Sequence, residues 1–279
     1  MGAVTQPSKE NNEDGYGWVG SVANIEAAWV FDGVTGINAE NILPGASDAR
    51  WLVERAGEHL ASLASSSLAL PEILAALVDR LIGDWQAAIT DLHIPPDYDP
   101  PAACLVFVKH YADGWKGMRL GDSCLLARSA SGDHHVWAAS PNNEFDHWLT
   151  RATRTWRDRG ITDIDALLAE FRPQMAASRN KRNQPGGYSI LEADRASLNM
   201  PEFFDLPKID ALLLCTDGFY RAVDHYDLYA NESLVARCEG WGGVEEVLRE
   251  VRAIEASDPT CDKYPRFKPA DDATAVMLK

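Results

Sequence analysis

Ala27-Ala28-Trp29-Val30-Phe31-Asp32-Gly33-Val34-Thr35-Gly36 runs an apolar segment straight into a carboxylate and then a glycine. Ala211-Leu212-Leu213-Leu214-Cys215-Thr216-Asp217-Gly218 repeats the pattern later in the chain. Asp-Gly by itself is a turn signal, because glycine tolerates positive φ and aspartate caps local amides. Asp113-Gly114 is the internal control: it lies between strand-like runs at 105–111 and 116–120 and reads as a hairpin turn. Asp32-Gly33 has no returning strand after it, since 38–63 is loop-like and then helical, and Asp217-Gly218 has none either. Two buried strands that each deliver an aspartate at the sheet end point to chemistry there.

Working outward, 15–20 and 25–31 read as a pair of strands. Gly15-Tyr16-Gly17-Trp18-Val19-Gly20 matches the dinucleotide fingerprint by letter only. That fingerprint needs a strand before it and a helix after it, whereas here a charged loop precedes and a strand follows. Apolar residues at three- and four-residue intervals predict a helix over 47–63 with Ser47 as N-cap, and a second opened by Pro71 and running to Trp85. Their broad apolar stripes need a sheet to cover.

Short strands follow at 102–108, 116–120, 124–128 and 135–139, with Gly121-Asp122-Ser123 interrupting them as a bulge or close approach would. Residues 145–171 read as one helix whose Arg151, Arg154, Arg157 and Arg159 form a solvated face or, alternatively, a face toward phosphorylated substrates, and 180–187 has the composition of a mobile loop. Strands at 188–192 and 211–216, a helix at 244–254 and a last strand after Asp271-Asp272 complete the pattern. With no internal repeat, 1–279 is expected to be one domain with a helical and loop insertion at about 141–187.

Composition narrows the function. The chain has 279 residues, 46% of them hydrophobic, enough for a sizeable core. Its 42 acidic and 26 basic residues give a net charge of −16, which argues against nucleic acid or an anionic membrane as partner and suits bound cations. Five scattered cysteines without a Cys-x-x-Cys pair fit neither a disulfide framework nor a zinc site. No apolar run of about 18 residues and no leader pattern occurs, so a soluble cytoplasmic protein is expected.

The acids at strand ends beside glycine or a small residue are Glu13 and Asp14, Asp32, Asp122, Asp217, and Asp271 with Asp272. Gathered at one edge they would repel one another and raise their own pKa values, which divalent cations would relieve. Hard oxygen ligands without paired His or Cys point to Mg2+ or Mn2+. Two such ions about 3.5 to 4 Å apart can hold one water between them and make it a nucleophile for a phosphate ester.

Lys9-Glu10-Asn11-Asn12-Glu13-Asp14, Phe31-Asp32-Gly33, Gly121-Asp122-Ser123, Thr216-Asp217-Gly218 and Asp271-Asp272-Ala273-Thr274 follow one another in a familiar order and approximate spacing. Through them nearly the whole chain resembles the metal-dependent protein phosphatases of the PP2C (PPM) family, bacterial type. The resemblance implies an α+β fold: a four-layer α-β-β-α sandwich of two antiparallel sheets flanked by helix pairs. It implies that Asp32 bridges two ions, that the Gly33 carbonyl and Glu13 serve one of them, and that Asp217 and Asp271 serve the other. Asp122 would belong to a third, weaker ion, Asp14 and Asp272 would support the ligands, and Lys9 would grip the phosphate.

The chain departs from the family pattern in three places. Lys9 stands where an arginine is usual, and lysine binds phosphate as a point charge without the planar fork. No histidine follows Asp32-Gly33, and Arg221 replaces a further acid four residues after Asp217, with Asp224 nearby. The expected function is hydrolysis of phosphoserine and phosphothreonine in proteins by a metal-bridged water attacking phosphorus, in a monomer. The alternatives are a phosphatase-like regulatory binding module and a phosphatase of small phosphoesters.

Overall fold

A computed structural model describes residues 1–8, 10–38, 40–138, 144–161, 163–206 and 208–279. Lys9 lies outside the described residues, as does the end of the strand expected at 135–139. The chain opens with β1 (Gly2–Gln6), β2 (Gly15–Ser21) and β3 (Asn24–Val34), and the side-chain alternation of β3 sets the layering. Ala27, Trp29 and Phe31 face the helices α1 (Asp48–Ala64) and α2 (Leu70–Ile89), while Ala28 and Val30 face a second sheet. Both faces are apolar, so side-chain size fixes the register. A one-residue slip would drive Trp29 and Phe31 into the space of Ala28 and Val30 and carry Asp32 into the helix layer.

Next come β4 (Ala102–Tyr111), β5 (Gly114–Leu120), β6 (Cys124–Ser129) and β7 (His134–Trp137). Asp113-Gly114 does close a hairpin, with Tyr111 opposite Gly114. The helix expected as one piece over 145–171 is two: α3 (Glu144–Arg157) and α4 (Ile164–Arg179). Gly160 lies between them at φ +83°, a left-handed position that ends a helix. The loop expected at 180–187 is not an exposed tether, because Arg182 and Asn183 are buried and both bond Glu192.

The remaining elements are β8 (Leu191–Glu192), β9 (Glu202–Asp205), β10 (Ile209–Cys215), α5 (Asp217–Asp224), α6 (Asn231–Cys238), α7 (Gly243–Ser257) and β11 (Ala273–Leu278). One antiparallel sheet runs β1-β11-β10-β6-β7 and the other β2-β3-β4-β5-β9, with β8 paired to β4. Ala211, Leu213 and Cys215 of β10 face α5 to α7, and Leu212 and Leu214 meet Val30 and Val106 of the other sheet. The result is the expected α+β, four-layer α-β-β-α sandwich. All five cysteines are buried and free. No helix among the described residues is long and apolar enough to cross a membrane.

Candidate active site

The inner core ends at one rim of the sandwich, and the motif acids begin there. Asp32 follows Ala28 and Val30 on the inward face of β3, opposite Cys104 of β4. Gly121, at φ +81°, packs on Cys104 so tightly that a Cβ would come 2.3 Å from Sγ, and this brings the Asp122 turn beside Asp32. Asp217 opens α5 immediately after the buried Thr216. Both Asp-Gly glycines are contact points between motifs: a Cβ on Gly33 would lie 2.5 Å from the Glu13 carbonyl oxygen, and one on Gly218 2.0 Å from that of Asp272. Only glycine allows these chain segments to close on one another.

Asp14 is 1% exposed. Thr216 Oγ1 donates to its Oδ2 at 2.9 Å, and the same hydroxyl accepts from the Thr274 amide at 2.9 Å. Asp272 accepts from the amide and hydroxyl of Ser8 and from the Glu13 amide at 2.7 to 2.9 Å, which fastens the 8–13 segment to the start of β11. Glu13 turns elsewhere: its two oxygens accept from Ser47, the N-cap of α1, and from Thr35, each at 2.6 Å.

Burial, and then the charges of Asp217, Asp14, Asp122 and Asp271 in that order, push the Asp32 carboxyl well above the usual range. Burial first, with Asp272 and Asp217 adding, outweighs the Thr274 and Thr216 hydrogen bonds and raises Asp14 as well. Asp217 is pushed up to about 6 by burial and by Asp271 and Asp122, against the pull of Arg221. Asp224 is raised to about 6 by burial and by Asp217.

Asp271 is the exception. Lys268 and Arg221 hold it below the usual value despite its burial. Arg221 Nη2 donates to Oδ2 at 2.6 Å, and the Lys268 ammonium pairs with Oδ1. The cavity at this rim, about 310 Å3, is lined by Asp122, Asp217, Arg221, Asp224, Lys268 and Asp271 among others.

Asp32, Asp217, Asp14 and Asp122 thus form a group of mutually repelling acids, and such a donor set fits a hard divalent cation. Asp271 fits less well, with two cations already on its oxygens. Among the described residues no group of three or more His, Cys, Asp or Glu is arranged so that it could hold a metal ion.

Comparison with known proteins places the chain. Residues 1–251 match the family model described as Protein phosphatase 2C. The chain belongs to that family.

Solved structures similar to this protein phosphatase 2C include the Mycobacterium tuberculosis serine/threonine phosphatase PstP/Ppp, at 15% identity and TM-score 0.56, covering 99% of this chain and 97% of that one. The PPM Ser-Thr phosphatase MsPP from Mycobacterium smegmatis in complex with cacodylate is similar at 14% identity and TM-score 0.55, with 100% and 97% covered. A PstP catalytic domain in complex with two manganese ions matches at 14% identity and TM-score 0.52, with 100% and 97% covered. At these identities the likeness speaks for the fold. No curated protein matches the sequence significantly.

Three participants had no clear sequence signal. Thr216 looks like the last residue of a strand, yet it is the hydroxyl that fixes Asp14. Lys268 lies in an irregular segment and meets Asp271 only because the chain turns back over three residues. Arg179 ends α4 and donates to the Thr35 carbonyl while pairing with Asp99, so it steadies the segment after Gly33. Of the four arginines read as a solvated face, Arg157 instead donates to the carbonyls of Arg266 and Phe267, next to Lys268.

Proposed function

We propose that this chain hydrolyses phosphoserine and phosphothreonine in proteins, using divalent metal held at the sandwich rim. The observation that carries the reading is the meeting of buried acids from separate motifs: Asp217 and Asp14 push up Asp32, Asp217 pushes up Asp14, and Asp271 and Asp122 push up Asp217, so a cation's charge would relieve them. Asp32 and Asp217 would hold Mn2+ or Mg2+ with Asp14 beside them. The Gly33 carbonyl and Asp122 belong to the same reading as further ligands, Asp271 is engaged by Arg221 and Lys268, Glu13 acts through its hydroxyl partners, and Asp272 fastens Ser8 and Glu13. When bound, a divalent ion neutralises the carboxylates, polarises phosphoryl oxygens and lowers the pKa of water toward neutrality.

The chain's own groups supply orientation. Thr216 keeps Asp14 aimed at the cluster, and Asp272 fastens Ser8 and Glu13 to the start of β11. Residues 1–279 act in this reading as one domain, with 141–187 as an insertion beside the cavity.

Hydrolysis of a phosphothreonine peptide and of p-nitrophenyl phosphate, with and without Mn2+, tests it. The expected result is metal-dependent turnover of both, preferring the peptide, with Asp217→Asn lowering kcat/KM about 100-fold or more; removing a single charge-stabilising group costs about 100- to 1,000-fold. Turnover without metal would refute the mechanism. The engagement of Asp271 by Arg221 and Lys268 favours, as a second reading, a phosphatase-like regulatory binding module, and inactivity on every phosphoester would select it.

A further inference from the structure

Two cationic side chains meet at Asp271, Arg221 and Lys268. Arg221 arises one turn into α5, four residues after Asp217, and its Nη2 lies 2.6 Å from Asp271 Oδ2. Its Nη1 lies 3.6 Å from Oε1 of Glu255 on α7, and Glu255, 4% exposed, is held by Arg252 at 2.6 Å. The guanidinium is thus hydrogen-bonded to Asp271 through Nη2, while Nη1 is buried beside Glu255 without a hydrogen bond. Lys268 covers the other oxygen, Oδ1, which also accepts from the Asp272 amide at 3.0 Å.

Asp271 therefore already has two positive charges on its two oxygens. A second ion there would have to displace a guanidinium and an ammonium, or stand among like charges, which repel it.

We propose that Arg221 and Lys268 permanently occupy the place of one ion at Asp271, so that this site takes a single divalent ion rather than two. The inference rests on the divalent-metal reading above. Chelator-treated full-length protein, titrated with Mn2+ by calorimetry and then studied by electron paramagnetic resonance, tests it without any variant. One Mn2+ per chain with the spectrum of an isolated ion is expected. Two ions per chain with a spin-coupled spectrum would overturn it.

Arg221→Gln with Lys268→Gln, its fold checked by circular dichroism, should admit a second Mn2+ and produce the coupled spectrum; a persistent single ion would count against the proposal. Lys268→Gln alone leaves the arginine in place, so it remains usable if the double variant does not fold. It should add a weaker second binding event, and an unchanged titration would be contrary evidence.

Phosphothreonine-peptide hydrolysis in the same samples separates the two claims. Two ions with metal-dependent turnover would remove this inference and leave the phosphatase, whereas one ion without turnover would remove the phosphatase and leave this inference. No bound Mn2+ would remove both.

Discussion

Thr216 is the residue on which the geometry of Asp14 depends. It is fully buried, and its one hydroxyl joins the first motif to the last strand by donating to Asp14 and accepting from Thr274. Thr216→Val keeps the shape and removes both bonds, leaving a buried carboxylate and a buried amide each short of a partner. The expected cost is about 1 to 3 kcal/mol, measurable by urea denaturation, with an activity loss of about 10- to 100-fold, as for other groups that orient metal ligands. At this scale the sequence was legible wherever strand alternation decides, as at Asp32, which continues the inward side of Ala28 and Val30. It was not legible where two acids adjoin. Glu13 and Asp14 are interchangeable as letters, and only the Ser47, Thr35 and Thr216 hydroxyls distinguish them.

Helix α4 reaches the rim through its last residue, Arg179, which holds both Asp99 and the Thr35 carbonyl. Breaking a buried ion pair costs about 3 to 5 kcal/mol when the remaining charge is left alone. Asp99 keeps Arg182 at 3.1 Å, so Arg179→Ala should cost nearer 1 to 3 kcal/mol, and the freed Thr35 segment should raise KM more than it lowers kcat. Steady-state kinetics beside a denaturant melt separates the two effects. Periodicity was a good guide to the elements with one clear face, including α1 with its Ser47 cap and the strands β3, β4 and β10. It failed where one glycine interrupts a pattern that otherwise continues, as Gly160 does between α3 and α4. Polar composition at 180–187 concealed burial, because the Arg182 and Asn183 side chains find partners in the fold rather than in water.

For the whole molecule, the site's electrostatics oppose folding until a cation arrives. Asp217 titrates at about 6 in the fold against 3.8 ordinarily, and Asp14 and Asp32 are raised too. A raised folded pKa gives stability that is fully present below the unfolded value and is lost as the pH rises through the folded one. The metal-free chain should therefore melt at a lower temperature at pH 8 than at pH 5. Excess Mn2+ should reverse that trend, and Asp217→Asn should flatten it, which separates the effect from the self-repulsion of a net charge of −16. Asp258 works in the opposite sense: Arg266 and the amides of Lys263, Tyr264 and Asp262 overcome its desolvation and lower it to about 2. Its contribution is present above 3.8 and is lost as the pH falls toward 2, so thermal melts from pH 2 to 8 should peak between about 4 and 6 without metal. Melting temperatures that rise steadily from pH 4 to 8 in the metal-free chain would refute this.

The sandwich was legible as a whole because five short motifs stand in the order and approximate spacing of the protein phosphatase 2C family, a resemblance that implies the fold. The charge balance at Asp271 was not, because it depends on where Lys268 and Arg221 lie in space. The central claim is that acids distant along the chain share a cation at one rim and use it on a phosphate ester. Dephosphorylation of a phosphothreonine peptide by chelator-treated wild type and by Asp32→Asn, each with and without Mn2+, tests it most directly. Turnover only in metal-loaded wild type is predicted; equal turnover by Asp32→Asn, or by wild type stripped of metal, would contradict it.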